Sequence, residues 1–199
     1  MKPLAGIILA GGLARRMGGG DKPLREVAGI SLLQRVIDRL LPQVQCLALS
    51  ANGPADRFAP FGLPVIADVI PGHLGPLAGI LSGLYRAKAQ GLEYCLSAAG
   101  DTPLLPLDLA HGLWRQSQDG SRAAIAISGE RQHPVFGLWP VGLIEAMEQA
   151  LAAQQRGLWR FAQAQGAGLA PWPAQPIDPF FNVNTPDDIE VLAKMLKPR

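Results

Sequence analysis

Short apolar runs alternate along this chain with stretches of helical spacing. Gly6-Ile7-Ile8-Leu9, Cys46-Leu47-Ala48-Leu49, Pro64-Val65-Ile66-Ala67 and Tyr94-Cys95-Leu96-Ser97-Ala98 each read as a buried strand. Between them, Ser31 and Gln34 fit a capping box, and Leu33, Val36, Ile37, Leu40 and Leu41 follow at helical spacing. Pro76 suits a first helical position, with Leu77, Ile80, Leu81 and Leu84 as the apolar side and Gly91 as the stop. In the second half, residues 107–118, 141–153 and 158–165 read as helices. Residues 123–127 and 135–139 read as strands, separated by a loop at 128–134. Residues 166–179, rich in Gly, Ala and Pro, read as irregular. Thr185-Pro186-Asp187-Asp188 opens a last helix, with Thr as N-cap, Pro in the first turn and acids at the positive end. The alternation predicts an α/β fold of three layers with a largely parallel central sheet. No repeat or linker divides the chain, so residues 1–199 are expected to form a single domain.

Composition narrows the partners. Hydrophobic residues are 48% and charged residues 17%, which suits a compact domain with a substantial core. A net charge of +2 demands no broad basic face, so nucleic acid is not expected as a partner. Met1-Lys2-Pro3 leads straight into a strand, no apolar stretch approaches a membrane span, and a cytoplasmic location is expected. Cys46 and Cys95 lie in apolar runs, which suits buried, reduced thiols. With no His or Cys cluster near them, a structural zinc site is not expected.

The chemistry concentrates behind the first strand. Residues 9–22 carry Leu9-Ala10-Gly11-Gly12, then Arg15, Arg16, Gly18-Gly19-Gly20, Asp21 and Lys22. Glycines let backbone N–H groups approach a ligand closely, and a run of such groups forms a concavity suited to anions. With three cations around it, the loop asks for a polyphosphate. The spacing fits neither a Walker A loop nor a G-x-G-x-x-G fingerprint. A second signal is Gly100-Asp101-Thr102-Pro103, which puts a carboxylate at the carboxyl end of a strand. Mg²⁺ takes few protein ligands and completes its shell with phosphates and water, so Asp101 is the candidate metal residue.

The loop pattern L-A-G-G-x-A-x-R-M-G-x-x-K resembles the signature of nucleotidyltransferases in the molybdenum cofactor guanylyltransferase family. Five later segments fit the same family, so the resemblance spans nearly the whole chain: Ser50-Ala51-Asn52, Asp68 with the Gly75 to Gly79 stretch, Gly100-Asp101, and the distal pair Arg131-Gln132-His133-Pro134 and Asn182-Val183-Asn184-Thr185-Pro186. The resemblance implies a Rossmann-like nucleotidyltransferase fold whose N-terminal half binds nucleotide and whose C-terminal half binds the acceptor. It implies GMP transfer from GTP to molybdenum-molybdopterin with release of pyrophosphate, assisted by Mg²⁺. Arg16, Lys22 and Asp101 are the implied catalytic residues. Leu9, Ala10, Gly11, Gly12, Lys22, Ser50, Asn52, Asp68, Gly79 and Asp101 are the implied nucleotide contacts. Arg131, His133, Asn182 and Asn184 would meet the molybdopterin. Serine at position 50 departs from the family's frequent asparagine and shortens the reach of that side chain. A monomer is expected, with room for transient contact with other cofactor-biosynthesis proteins or molybdoenzymes.

Two rival readings share these residues. A cytidylyl or sugar-phosphate nucleotidyltransferase would keep the fold and chemistry and change the substrates. A GTP-binding delivery protein would use the glycine loop without turnover. Lys22 together with Asp101 argues against that second rival, since binding alone needs no metal carboxylate.

Overall fold

The computed structural model describes residues 1–11, 21–70 and 75–196. In chain order the elements are β1 (Ala5–Leu9), β2 (Glu26–Val27), β3 (Ile30–Ser31), α1 (Leu32–Leu40), β4 (Cys46–Ser50), β5 (Val65–Ile66), α2 (Pro76–Ala89) and β6 (Tyr94–Ala99). There follow α3 (Leu109–Gln116), β7 (Ala124–Ser128), β8 (Arg131–Pro140), α4 (Ile144–Ala152), α5 (Leu158–Ala164), β9 (Gly168–Trp172) and α6 (Pro186–Met195). Among the described residues, one sheet runs β5-β4-β1-β6-β8-β7-β9, and β2 and β3 form a separate small hairpin. Only β8 runs against the other strands of the large sheet.

Side-chain alternation along β1 builds the outer layers. Leu4, Ile8 and Ala10 enter one core with the apolar stripes of α1 and α3, while Ala5 and Ile7 enter a second core with α2, α4 and α5. The two cores on opposite faces make the three layers, and the sheet is mostly parallel, as the alternation of patterns predicts. A third, smaller cluster joins Val27 and Leu32 to Val183 and to Leu192 of α6. It brings the C-terminal helix to the segment that follows the glycine loop.

Helix α2 lies very close to the sheet because two of its turns carry glycine. A Cβ on Gly83 would stand 2.9 Å from Cys95 Sγ and from Ile7 Cγ2, and one on Gly79 would stand 2.7 Å from Ser50 Oγ. Ile7 is β-branched and packed into the sheet, so it has little room to yield. Gly83→Ala is therefore expected to destabilise the fold by about 1–3 kcal/mol through overpacking. The urea midpoint of the variant measures this, and a parent-like midpoint would show that the helix can lift off the sheet freely.

Four local expectations change. The strand expected at 135–139 begins at Arg131, so Arg131 to Pro134 belong to β8 and only Gly129 and Glu130 separate it from β7. Pro134 suggests a break, but it falls where the β7–β8 register shifts between Ile125 and Ala126 and needs no ladder donor. Residues 168–172, expected to be irregular, form β9, an edge strand paired only with β7, which is where Pro171 is tolerated. At Ser31 only half of a capping box forms: its hydroxyl accepts from Gln34 N, while the Gln34 amide turns to Asp38. The full box is at Thr185 and Asp188. Cys95 is buried, as read from the sequence, whereas Cys46 is only half-buried, its thiol 2.8 Å from Gln90 Oε1. No helix among the described residues is long and apolar enough to cross a membrane.

Candidate functional site

The chain leaves β1 to build β4 and β5 on one side and later returns to place β6 on the other. In open α/β sheets such a reversal opens a crevice at the carboxyl ends of the strands. Register makes those ends coincide: Leu9 stands opposite Ser50 on one side and Ala99 on the other. Each strand then releases its polar residues at the same level. Ala10 N donates to Ser50 O at 2.9 Å and Gly100 N to Leu9 O at 3.0 Å, which holds the three exits together.

Above these exits lies a solvent-open cleft of about 390 Å³. Its walls include Leu9, Gly11, Ser50, Asn52, Asp68, Gly79, Asp101 and Asn182, eight of the residues singled out from the sequence. Ala10 does not line the cleft and is buried in the first core. Gly12 and Arg16 lie outside the described residues. Ser50 is itself buried and packed under Gly79, so it presents little of its hydroxyl to the cleft.

Lys22 is 7% exposed, and its ammonium gathers groups from distant parts of the chain. It ion-pairs with Asp101 Oδ2 at 2.5 Å and donates to Asn182 Oδ1 at 2.8 Å and to Asn184 Oδ1. A lysine ammonium has three N–H donors, so all are engaged. The loop 182–184 is held in turn from Asp101, whose carbonyl accepts from Val183 N at 3.0 Å. The two asparagines thus hold Lys22 with their oxygens. Among the described residues nothing accepts from the Asn182 amide nitrogen, while that of Asn184 turns to Asn182 O at 3.3 Å.

The opposite wall is organised by Asn52 and Ser82. The Asn52 amide donates to Asp68 Oδ2 at 2.8 Å and accepts from Asp68 N at 3.0 Å. One turn beyond Gly79, the buried Ser82 hydroxyl accepts from Val69 N at 3.0 Å and donates to Ala78 O. Asn52 therefore spends its amide on aiming Asp68, where the sequence suggests a direct nucleotide contact. Ser82 carries no motif around it, and only the packing of α2 reveals what it does.

A second cleft of about 180 Å³ adjoins the first. Arg131, His133, Thr102 and Phe180 line it, and Ala99, Val135 and Asn182 belong to the walls of both. His133 is buried, stacked on Phe180 with ring centroids 4.6 Å apart, and its Nε2 lies 2.7 Å from the Ser128 hydroxyl.

A model of the MobA-like NTP transferase domain matches residues 6–169. The chain belongs to the MobA-like NTP transferase family. A protein of Rhodopseudomonas palustris (strain BisB5) named molybdenum cofactor guanylyltransferase is 53% identical over 187 residues, covering 92% of this chain and 89% of the relative. One of the same name from Nitrobacter hamburgensis is 49% identical over 191 residues, covering 94% and 91%. Among solved structures, molybdopterin-guanine dinucleotide biosynthesis protein A from Archaeoglobus fulgidus superposes with a TM-score of 0.73 at 19% identity, covering 96% of this chain and 98% of that one. The fold is thus the Rossmann-like one of the nucleotidyltransferases.

In this MobA-like domain, burial pushes the His133 imidazole below its usual range; Asp178 pulls it back up and Arg131 pushes it further down. The folded protein therefore resists a proton that the unfolded chain accepts near pH ~6.5. The contribution of neutral His133 to stability is complete above about pH 6.5 and declines as pH falls below it. Melting temperatures at pH 7.5 and 5.5 are expected to differ more in the parent than in His133→Gln. Equal differences would show that His133 takes the proton in the folded state without penalty.

Among the described residues of this transferase domain, no three His, Cys, Asp or Glu side chains gather as a metal cage. Mg²⁺ does not require one, since one or two carboxylates and substrate phosphates suffice. Asp101 fits that role: Oδ2 faces Lys22, whereas among the described residues Oδ1 has only the Thr102 hydroxyl at 3.5 Å.

Proposed function

We propose that this chain transfers GMP from GTP to the terminal phosphate of molybdenum-molybdopterin, forming molybdopterin guanine dinucleotide and releasing pyrophosphate. The observation that carries the reading is the pair of adjoining clefts, which share Ala99, Val135 and Asn182, with Asp101 on the wall of the larger. The names of the 49–53% identical relatives support the substrates. In this reading residues 1–199 act as one cytoplasmic domain and as a monomer. The larger cleft takes the nucleotide, with phosphates toward Gly11, Lys22 and Asp101 and the nucleoside toward Asn52 and Asp68. The smaller cleft takes the acceptor beside Arg131 and His133.

The acceptor phosphate is already an anion, so no base is needed to activate it. Its oxygen forms a bond to the α-phosphorus while the bond from that phosphorus to the bridging oxygen breaks, and pyrophosphate leaves with the electron pair. The barrier lies in bringing anions together and in charge growing on the leaving group, which positioning and fixed positive charge lower. Arg16 and Lys22 supply that charge, and Gly11 lets the backbone come close to the phosphates. Asp101 would hold Mg²⁺, which supplies charge neutralisation to the triphosphate. Asn182, at the shared wall, orients donor and acceptor with respect to each other.

Pyrophosphate release measured with GTP, CTP or UTP, each with molybdenum-molybdopterin and Mg²⁺, tests the reading. Release with GTP alone is expected. Equal release with CTP would move the chain to the cytidylyl class, and GTP binding with no release would make it a delivery protein.

A further inference from the structure

The contacts around Arg57 have no place in the chemistry above, yet they join Asn52 on the wall of the larger cleft to Asp21, the residue before Lys22. Arg57 lies in a 3-10 turn, Ala55–Phe61, and does not line the cleft. Its Nε is 2.8 Å from Asp21 Oδ2, an ion pair whose side chains are only 22% and 18% exposed. That approach is close but not aligned as a hydrogen bond, so it acts through charge. One terminal nitrogen donates to Asn52 O at 2.7 Å, and the other donates to Pro54 O. The guanidinium lies 4.6 Å over the ring of the buried Phe58. It is fixed from four directions.

Two lines of contacts therefore meet on one side chain. Asp21 immediately precedes Lys22, which is held by Asp101. Asn52 spends its amide on aiming Asp68. We infer that Arg57 is a positioning residue that couples the phosphate end of the nucleotide cleft to its nucleoside end. The inference rests on the proposal that this cleft holds a nucleoside triphosphate. A rigid, planar guanidinium suits the task because it keeps a fixed angle between the Asp21 carboxylate and the Asn52 carbonyl, which the single ammonium of a lysine cannot do. The pair is partly buried, so salt screens it less than a surface pair. Binding at either end would then order the other without any contact between Arg57 and the ligand.

A positioning role of this kind appears in substrate affinity more than in turnover. Arg57→Ala is expected to raise KM for GTP about tenfold while kcat stays within about threefold, with Arg57→Lys in between. A merely structural role would not reproduce the second readout, a cycle of direct GTP affinities. Asp21→Asn removes the charge at one end, and Asn52→Ala removes the amide that aims Asp68 at the other. With Arg57 present, their effects on the GTP Kd are expected to depart from additivity by about threefold or more; in the Arg57→Lys background they should become additive. If Arg57→Ala does not fold, the lysine variant and the cycle carry the test. An unchanged KM in Arg57→Ala, or additive effects in the parent background, overturns the coupling. A parent that binds CTP in place of GTP, with the same dependence on Arg57, supports the coupling and removes the guanine reading. A parent that binds no nucleotide overturns both.

Discussion

A Lys22→Met protein is expected to lose about two orders of magnitude or more in turnover and roughly 2–4 kcal/mol of folding stability. The two losses have separate causes. Methionine keeps the apolar stem but removes the ammonium, leaving the Asp101 carboxylate and the Asn182 and Asn184 oxygens facing one another with no donor between them. Asp101 is only 17% exposed, so water repairs that arrangement poorly. The rate falls because the loop 182–184 loses its anchor and because a fixed positive charge beside the phosphates is gone. Lys22→Arg restores charge but not fit, since a planar fork cannot serve three converging acceptors. A double variant, Lys22→Met with Asp101→Asn, should be destabilised by less than the sum of the single effects, because no uncompensated carboxylate remains. Urea denaturation with steady-state kinetics measures all of this. Parent-like values for Lys22→Met would remove Lys22 from both roles.

Asp101→Asn is expected to separate chemistry from fold. The amide preserves the shape of the side chain and an oxygen for Lys22. The backbone carbonyl of residue 101 still accepts from Val183 N, so the loop 182–184 keeps its main-chain tie. What disappears is the negative charge that would hold Mg²⁺ against the triphosphate. Turnover should fall by about 10²-fold or more, and raising Mg²⁺ should not restore it. The melting temperature should move by much less than in Lys22→Met. Retained Mg²⁺-dependent turnover at the parent rate would assign the metal to other residues.

Gly83→Ala and the pH dependence of His133 probe parts of the molecule that read differently from sequence. The closeness of α2 to the sheet is not written in any local pattern, because it depends on Ile7 and Cys95 arriving from two other strands. His133 reads locally as part of a polar loop, and its burial follows from stacking on Phe180, distant along the chain. Arg57 and Ser82 are of the same kind. Their neighbours, Gly53-Pro54 and the apolar face of α2, suggest a solvated turn and an ordinary helix, and only the partners brought by folding give them work.

The sequence by itself determined the layers and the polar residues that the strands release at their carboxyl ends. Apolar runs of strand length, helical spacing between them and the glycines and carboxylates at strand ends are local signals, and the ends of β1, β4 and β6 fall at the polar residues that mark them. The first part of β8 and all of β9 escape a local reading because Pro134 and Pro171 argue against a strand, and sheet position overrules that argument at a register break and at an edge. The tertiary structure alone decided which side chains face the cleft and which serve those that do. Asn52, Asn182 and Asn184 look alike as polar residues beside a motif. Folding turns the first onto Asp68 and the other two onto Lys22, because a half-buried carboxylate and a buried ammonium must find partners and those amides are within reach. Hydrogen-bond partners 16 and 160 residues apart are set by sheet order and register, and no stretch of sequence short enough to read as a motif contains both.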